Sequence, residues 1–157
     1  MALLSPIAGQ AGNTMTQIHR HALIRHSAAR MFGLVNDVAS YPQRFSWCES
    51  SEVIESSDTH MLARLDIKVA GLRTSFTTRN VLEYPHRIKL ALQEGPFSKF
   101  SGEWVFHALD EDASKISLTM DFEVQNKLIG SALALGFQSL ADRLVDDFCR
   151  EANASDD

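Results

Sequence analysis

Hydrophobic and polar residues alternate along most of the chain's middle, which is the period of β-strands that bury one face. The clearest run spans residues 61–69, where the odd positions are all apolar. The linkers between the last five runs hold only a few residues, so those strands must be antiparallel, because a parallel crossover needs a dozen or more residues. We predict six strands, at residues 17–25, 61–69, 73–83, 86–93, 99–109 and 115–124.

Helical spacing appears on both sides of this region. Ser27 precedes a stretch with helical period, residues 28–36, and residues 37–48 combine a proline with several aromatics, which predicts a short helical turn and a loop. Residues 127–152 place apolar side chains every three or four positions, as an amphipathic helix does. We therefore predict an α+β fold in which a curved antiparallel sheet, with two short helices after its first strand, wraps around a long C-terminal helix.

Length and composition favour one domain with a real core. The chain has 157 residues, of which 45% are hydrophobic and 22% charged. We interpret residues 1–14 as a disordered extension before a native start at Met15, residues 15–152 as the ligand-binding domain, and 153–157 as a flexible tail. No transmembrane segment is expected, and two cysteines do not make a disulfide framework, so we expect a cytoplasmic location.

The net charge of −5 argues against general binding to nucleic acid, and DNA is not an expected partner. The charge is uneven, however, because residues 1–48 carry four arginines and a single acidic residue. Any contact with RNA is therefore expected at this end of the chain. The candidate RNA-contacting residues are Arg20, Arg25, Arg30 and Arg44.

The inward faces of the strands and the long helix are almost wholly apolar. Such a surface forms either a solid core or the wall of a cavity for an apolar ligand, and spacing alone leaves both open. The candidate cavity residues are Leu65, Ile67, Phe76, Ile88, Leu90, Leu92, Trp104, Phe106, Met120, Phe122, Leu133, Phe137, Leu140 and Leu144. Polar residues in phase with Phe76 are few, namely Thr74, Thr78 and Asn80, which disfavours catalysis.

Residues 37–48 form an aromatic loop that is a candidate lid over this cavity. Large apolar groups in a loop are costly unless they pack down or meet a ligand. The candidate lid residues are Tyr41, Pro42, Phe45 and Trp47. No metal site is predicted, because His19 and His21 share one strand face without a third ligand at suitable spacing.

Several short motifs, taken in order, are similar to one family. They are Tyr41-Pro42 and Trp47-Cys48, the segment 75–80, the segment 94–97, the segment 102–106 and the closing segment 145–148. With them the chain resembles the RatA-type ribosome-association toxins and the coenzyme Q-binding proteins, within the START and polyketide cyclase superfamily. The resemblance covers about residues 15–152. The family usually has Phe and Pro where this chain has Arg44 and Ser46.

The resemblance implies a helix-grip fold of the START and Bet v 1 type and a domain that is not an enzyme and requires no cofactor. It implies two activities, and both are expectations here. One is binding of ubiquinone or a similar lipid in the sheet–helix cavity, in support of respiration. The other is that of a toxin that binds the large ribosomal subunit and blocks subunit association. A polyketide cyclase or dehydratase is the alternative from a third class.

Overall fold

A single antiparallel sheet of seven strands forms the body of the molecule. The computed structural model describes residues 15–125 and 130–155. The strands follow one another in the sheet in the order β1-β7-β6-β5-β4-β3-β2. Their bounds are β1 Thr16–Ile24, β2 Cys48–Ser56, β3 His60–Val69, β4 Leu72–Glu83, β5 Arg87–Glu94, β6 Phe97–Asp110 and β7 Ala113–Val124.

The helices are those that the spacing predicted. Between β1 and β2 come α1 (Ala28–Asn36), a single 3-10 turn (Val38–Ser40) and α2 (Tyr41–Arg44), and the chain closes with α3 (Gly130–Ala154). The Ser27 hydroxyl caps α1 by accepting a hydrogen bond from the Arg30 N–H at 3.0 Å. The predicted α+β helix-grip architecture is confirmed, with α3 packed across the sheet against β1, β7 and β3.

Strand β2 is the one described strand that the sequence pattern did not predict. It is an edge strand that pairs with β3 alone, and most of its residues are exposed on both faces. Its sequence, CESSEVIES, therefore has no need of a buried apolar face and shows no sustained alternation. The sheet has seven strands rather than six for this reason.

Helix α3 approaches the sheet closely at one glycine. A Cβ atom on Gly136 would lie 2.9 Å from the Cβ of Ala70 and 3.2 Å from that of Val69. Val69 ends β3, and Ala70 begins the turn to β4, where Ala70 and Gly71 have positive φ angles of 51° and 76°. Only a residue without a side chain lets the helix rest on this turn.

Two groups of aromatic rings fill much of the space between sheet and helix. We call the first the phenylalanine cluster, and its members are Phe76, Phe97, Phe100, Phe122 and Phe137. We call the second the tryptophan cluster, and its members are Tyr41, Phe45, Trp47, Trp104 and Phe148. All ten side chains are buried, with exposed fractions of 8% or less.

The chain's C-terminal end departs from the predicted domain bounds. Asn153 and Ala154 were expected in a flexible tail, but they are the last residues of α3. The Asn153 amide oxygen lies 2.9 Å from Nε2 of the buried His26, and this contact holds the helix end against the start of α1. The predicted extension 1–14, the start of the predicted helix at 127–129 and residues 156–157 lie outside the described residues.

None of the described helices combines the length and hydropathy that a membrane-spanning segment needs.

Candidate functional site

A cavity lies between the sheet and α3, with the two aromatic clusters among its walls. Its volume is about 90 Å³, and the empty space between its wall atoms reaches about 750 Å³ when the opening to solvent is included. Among the lining residues, Asn36, Leu65, Leu90 and Leu144 are partly exposed, so solvent reaches the cavity beside them. The cavity is small beside typical ligand pockets of roughly 300–1,000 Å³.

Ten of the fourteen candidate cavity residues line this space. They come from five strands and from α3, which shows that the period-2 alternation identified the inward face correctly. They are Leu65, Ile67, Phe76, Ile88, Leu90, Trp104, Met120, Phe137, Leu140 and Leu144.

The other four candidate residues do not line the cavity. Phe122 is fully buried inside the phenylalanine cluster, and Phe106 lies behind Trp104, between that ring and Phe32. Leu133 is buried in the core near the beginning of α3. Leu92 stands near the end of β5, beside Gly95. The first three belong to the solid part of the interior, whereas Leu92 is partly exposed at its margin, because alternation gives the face of a strand and not the position along it where space remains.

Eight further residues line the cavity without having been among the candidates. Ala63, Thr78 and Asn80 have the inward phase of their strands, so the alternation could have found them. Three more, at the end of α1 and in the turn after it, gave no such signal, because their position depends on how α1 folds back onto the sheet. The eight are Val35, Asn36, Val38, Ala63, Thr78, Asn80, Phe100 and Phe148.

Two polar atoms in the cavity wall have no hydrogen-bond partner among the residues that the structure describes. The side-chain oxygens of Asn36 and Asn80 are both buried and unpaired. The Asn80 side chain is 5% exposed, and that of Thr78 beside it is 8% exposed. The Tyr41 hydroxyl is satisfied, because it donates to the carbonyl oxygen of Val35, and burial raises the pKa of Tyr41 far above its usual range.

The aromatic loop forms part of the cavity wall, and two side-chain contacts tie it to α3. The Trp47 indole N–H donates to the Asp147 carboxylate at 3.2 Å, and the Arg44 guanidinium bonds Glu151 at 3.0 Å. Tyr41 and Trp47 line the cavity, whereas Phe45 is stacked on Trp47 behind it.

Pro42, the remaining candidate lid residue, is the second residue of α2 and does not line the cavity. The loop is bonded to α3 in this structure, and its opening as a lid stays a prediction.

Three of the four candidate RNA-contacting arginines are occupied by contacts with α3. Arg20 pairs with Asp142 at 2.8 Å, Arg44 pairs with Glu151, and Arg30 donates to the Ala152 carbonyl oxygen at 2.9 Å. Arg25 is exposed and forms no ion pair with any described residue. The excess positive charge of residues 1–48 is thus largely balanced inside the fold.

The two cysteines are chemically quiet. Burial and the negative charge of Asp66 raise the pKa of the Cys48 thiol to about 11. The hydrogen bond between Sγ and the Ser50 carbonyl acts in the opposite direction and is outweighed. Burial also raises the pKa of the Cys149 thiol. The thiolate fraction at neutral pH is small in both, which makes them poor nucleophiles. Among residues 15–125 and 130–155, no three His, Cys, Asp or Glu side chains are grouped as a metal site.

A family model described as "Polyketide cyclase / dehydrase and lipid transport" matches residues 24–149, most of the chain. The chain belongs to this family. The match runs from the end of β1 to the last turns of α3, so it includes every described residue that lines the cavity.

Within the polyketide cyclase and lipid transport family, curated relatives resemble the chain over nearly its whole length. The "Ribosome association toxin RatA" of Vibrio cholerae is 42% identical, over 88% of this chain and 96% of its own. The "Persistence and stress-resistance toxin PasT" of Escherichia coli is 44% identical, over 85% of both chains. The resemblance to ribosome-association toxins inferred from the sequence motifs is confirmed.

Solved structures of other proteins share the fold. The Zhui aromatase/cyclase of Streptomyces sp. R1128 superposes with a TM-score of 0.76 at 24% identity, covering 89% of this chain and 94% of its own. A START superfamily protein of Mycobacterium smegmatis gives a TM-score of 0.69 at 19% identity, covering 92% of this chain and the whole of its own. At such identities the likeness concerns the fold alone.

Proposed function

We propose that this protein is a non-enzymatic START-like domain that binds the large ribosomal subunit in the cytoplasm and blocks the association of the two subunits. The observation that carries this proposal is the 41–44% identity, over 85–96% of their lengths, to relatives named as ribosome association or persistence toxins.

The charges of the described residues limit where ribosomal RNA can be contacted. RNA binding needs positive groups that are free to meet phosphates. Arg25 is exposed at the end of β1 and has no ionic partner among the described residues, unlike Arg20 and Arg44. Of the four candidate arginines we therefore assign the ribosomal contact to Arg25, which borders the same surface depression as Asp110, Glu111 and Asp112, and a structural role to Arg20 and Arg44.

Sucrose-gradient profiles of cells that express the protein test this function. We expect the protein to sediment with the large subunit and the peak of joined ribosomes to shrink. Arg25→Glu should weaken both effects, whereas Arg79→Glu, a charge reversal on the exposed outer side of β4, should leave them unchanged. An unchanged ribosome peak with the protein at the top of the gradient would contradict the proposal.

A second function is supported by the cavity itself. Its wall is apolar apart from a few polar groups, which suits ubiquinone or a similar lipid of the kind that supports respiration. At about 90 Å³ the cavity is smaller than the roughly 150 Å³ of an engineered cavity that holds benzene. A quinone ring therefore enters only if the partly exposed wall residues, such as Leu65 and Leu144, move aside.

Organic extraction and native mass spectrometry of the purified protein test the lipid function. Leu90→Arg should abolish any bound lipid, because it places an unpaired charge in the cavity wall. Leu23→Arg is the control, since Leu23 is 71% exposed and distant from the cavity lining. Recovery of no lipid from the unmodified protein, together with no uptake of added quinone, would rule out this second function.

The alternative of a polyketide cyclase is less well supported than either function. A cyclase needs positioned acids or bases, and the described lining contains no Asp, Glu, His, Lys, Arg or Cys. Its one titratable group is the Tyr41 hydroxyl, which is engaged with Val35 and whose pKa lies far above its usual range. The arrangement supports binding without chemistry and without a required cofactor.

A further inference from the structure

The amide oxygen of Asn80 is a buried hydrogen-bond acceptor that receives no hydrogen bond from residues 15–125 or 130–155. Asn80 lies in the middle of β4 and faces the cavity, with its side chain 5% exposed and its oxygen unpaired. Its cross-strand neighbours are Met61 on β3 and Leu90 on β5, neither of which has a side-chain hydrogen to donate. The strand neighbours therefore cannot satisfy this oxygen.

A second acceptor of the same kind stands in the same wall. The oxygen of Asn36, the last residue of α1, is also buried and unpaired. Burying such a group without a partner destabilises the fold, and an apolar side chain of similar size would fill the position without that penalty. Two unpaired acceptors in one mainly apolar cavity indicate that a molecule from outside the protein supplies the hydrogen-bond donor.

We infer that the cavity takes a small, mainly apolar compound whose buried end donates a hydroxyl hydrogen to Asn80, as an alcohol, a phenol or a hydroquinone does. This inference rests on the proposed lipid-binding function and specifies its ligand. A ketone or quinone presents a carbonyl oxygen, which is an acceptor only. It can accept from the amide N–H of Asn80 but leaves the amide oxygen unpaired, whereas a hydroxyl group can donate to that oxygen. The cavity thus selects the hydroxyl form of a ring over its carbonyl form.

Cyclohexanol and cyclohexanone are the probes that test this selection. They are single rings of nearly equal size, the ketone mimics a quinone carbonyl, and neither reacts with the thiols of Cys48 and Cys149. Both tryptophans of the chain line the cavity, so the two indole N–H signals in a proton–nitrogen NMR spectrum report its occupancy. We expect the alcohol to bind about tenfold more tightly than the ketone, the effect of one added hydrogen bond.

Asn80→Leu removes the acceptor and should reduce this preference to about onefold while the variant still binds both rings. Leu90→Met is the matched control, because Leu90 lies opposite Asn80 in the register and also lines the cavity. It changes the shape of the wall but not its acceptors, so the preference for the alcohol should remain. Asn36→Leu gives an independent measurement at the other acceptor if Asn80→Leu fails to fold.

The outcomes separate this inference from the function on which it rests. Equal binding of the two rings, a preference for the ketone, or a preference that survives both asparagine substitutions would overturn the selection while leaving a lipid-binding cavity in place. Binding of neither ring, together with no lipid on extraction, would overturn both. The expected pattern is a preference for the alcohol that both Leu90→Met and the unmodified protein show and Asn80→Leu lacks.

Discussion

The phenylalanine cluster and the middle of the cavity are neighbouring parts of one interior, yet they are built differently. In the cluster, Phe137 meets four other rings at centroid distances of 4.8–6.1 Å, and Phe122 is wholly buried. In the middle, Leu65 and Leu90 are only partly buried and Asn80 has an unpaired oxygen. One region gains stability from dense packing, and the other gives stability up.

This difference distinguishes the part of the interior that stabilises the fold from the part that is available for binding. Aromatic rings at both sides hold the sheet and α3 apart, so the space between them does not collapse. The Trp47–Asp147 and Arg44–Glu151 contacts join the loop that carries part of the tryptophan cluster to α3. The cavity is thus a gap with closely packed aromatic rings at both ends, and its middle is the part that can adapt to a ligand.

The phenylalanine cluster and the middle of the cavity should differ most in the free energy of unfolding that a truncated side chain costs. Phe122→Ala should lower the free energy of unfolding by about 3–5 kcal/mol, because it leaves a hole among close-packed rings. Leu144→Ala, in the partly exposed cavity wall, should cost less than about 2 kcal/mol, since water already reaches its side chain. Urea unfolding measures both. Equal losses would show that the two regions are packed alike.

A smaller effect is expected where α3 rests on the sheet. Gly136→Ala should lower stability by about 1–3 kcal/mol, because the added methyl group would lie 2.9 Å from the Ala70 side chain and force the helix outward. Gly33→Ala is the control. A Cβ there meets nothing within 4 Å, so alanine should raise stability by about 0.5–1 kcal/mol through its helix propensity.

Thermal unfolding of the two glycine variants checks these opposite signs. If Gly136→Ala is as stable as the unmodified protein, α3 is not held this close to the sheet. The end of the cavity beside Phe137 is then not closely packed.

A satisfied polar group on the outer side of the sheet offers the contrast to Asn80. Asp66 accepts hydrogen bonds from Ser50, Ser75 and Arg64, and these bonds lower the pKa of its carboxyl group. Its contribution to stability is present above the unfolded-state pKa of roughly 3.9 and is lost as the pH falls through the lower folded-state value.

The stability difference between the unmodified protein and Asp66→Asn should therefore be small and positive at neutral pH and should shrink in acid. Urea unfolding at a series of pH values measures it. A difference that grows as the pH falls would contradict the assigned hydrogen bonds.

Much of the fold followed from the sequence, because alternation and helical spacing are local signals. The inward residues of β3 and β5, such as Leu65 and Leu90, could be named from period alone. The edge strand β2 could not, since a strand that is exposed on both faces needs no apolar period. The tail prediction failed at Asn153, because its contact with His26 joins residues 127 positions apart.

The cavity itself was harder to predict than its walls. The sequence favoured a solid core over a cavity without excluding either, because period gives a residue's face and not the empty volume in front of it. Phe106 and Phe122 share the inward phase of Trp104 and Met120, yet they lie in the packed part. The sequence shows that Asn80 is polar and in phase with the inward residue Phe76. The lack of a hydrogen-bond partner follows only from the structure, in which its cross-strand neighbours are Met61 and Leu90.

The free energy of unfolding of Asn80→Leu, measured in urea without any ligand, shows whether Asn80 serves ligand binding or the stability of the fold. If the middle of the cavity is kept polar for a ligand at the expense of stability, removing the unpaired oxygen should stabilise the protein by about 1 kcal/mol. A loss of about 1 kcal/mol or more would contradict the account, because it would show that Asn80 holds the fold together and is not reserved for binding.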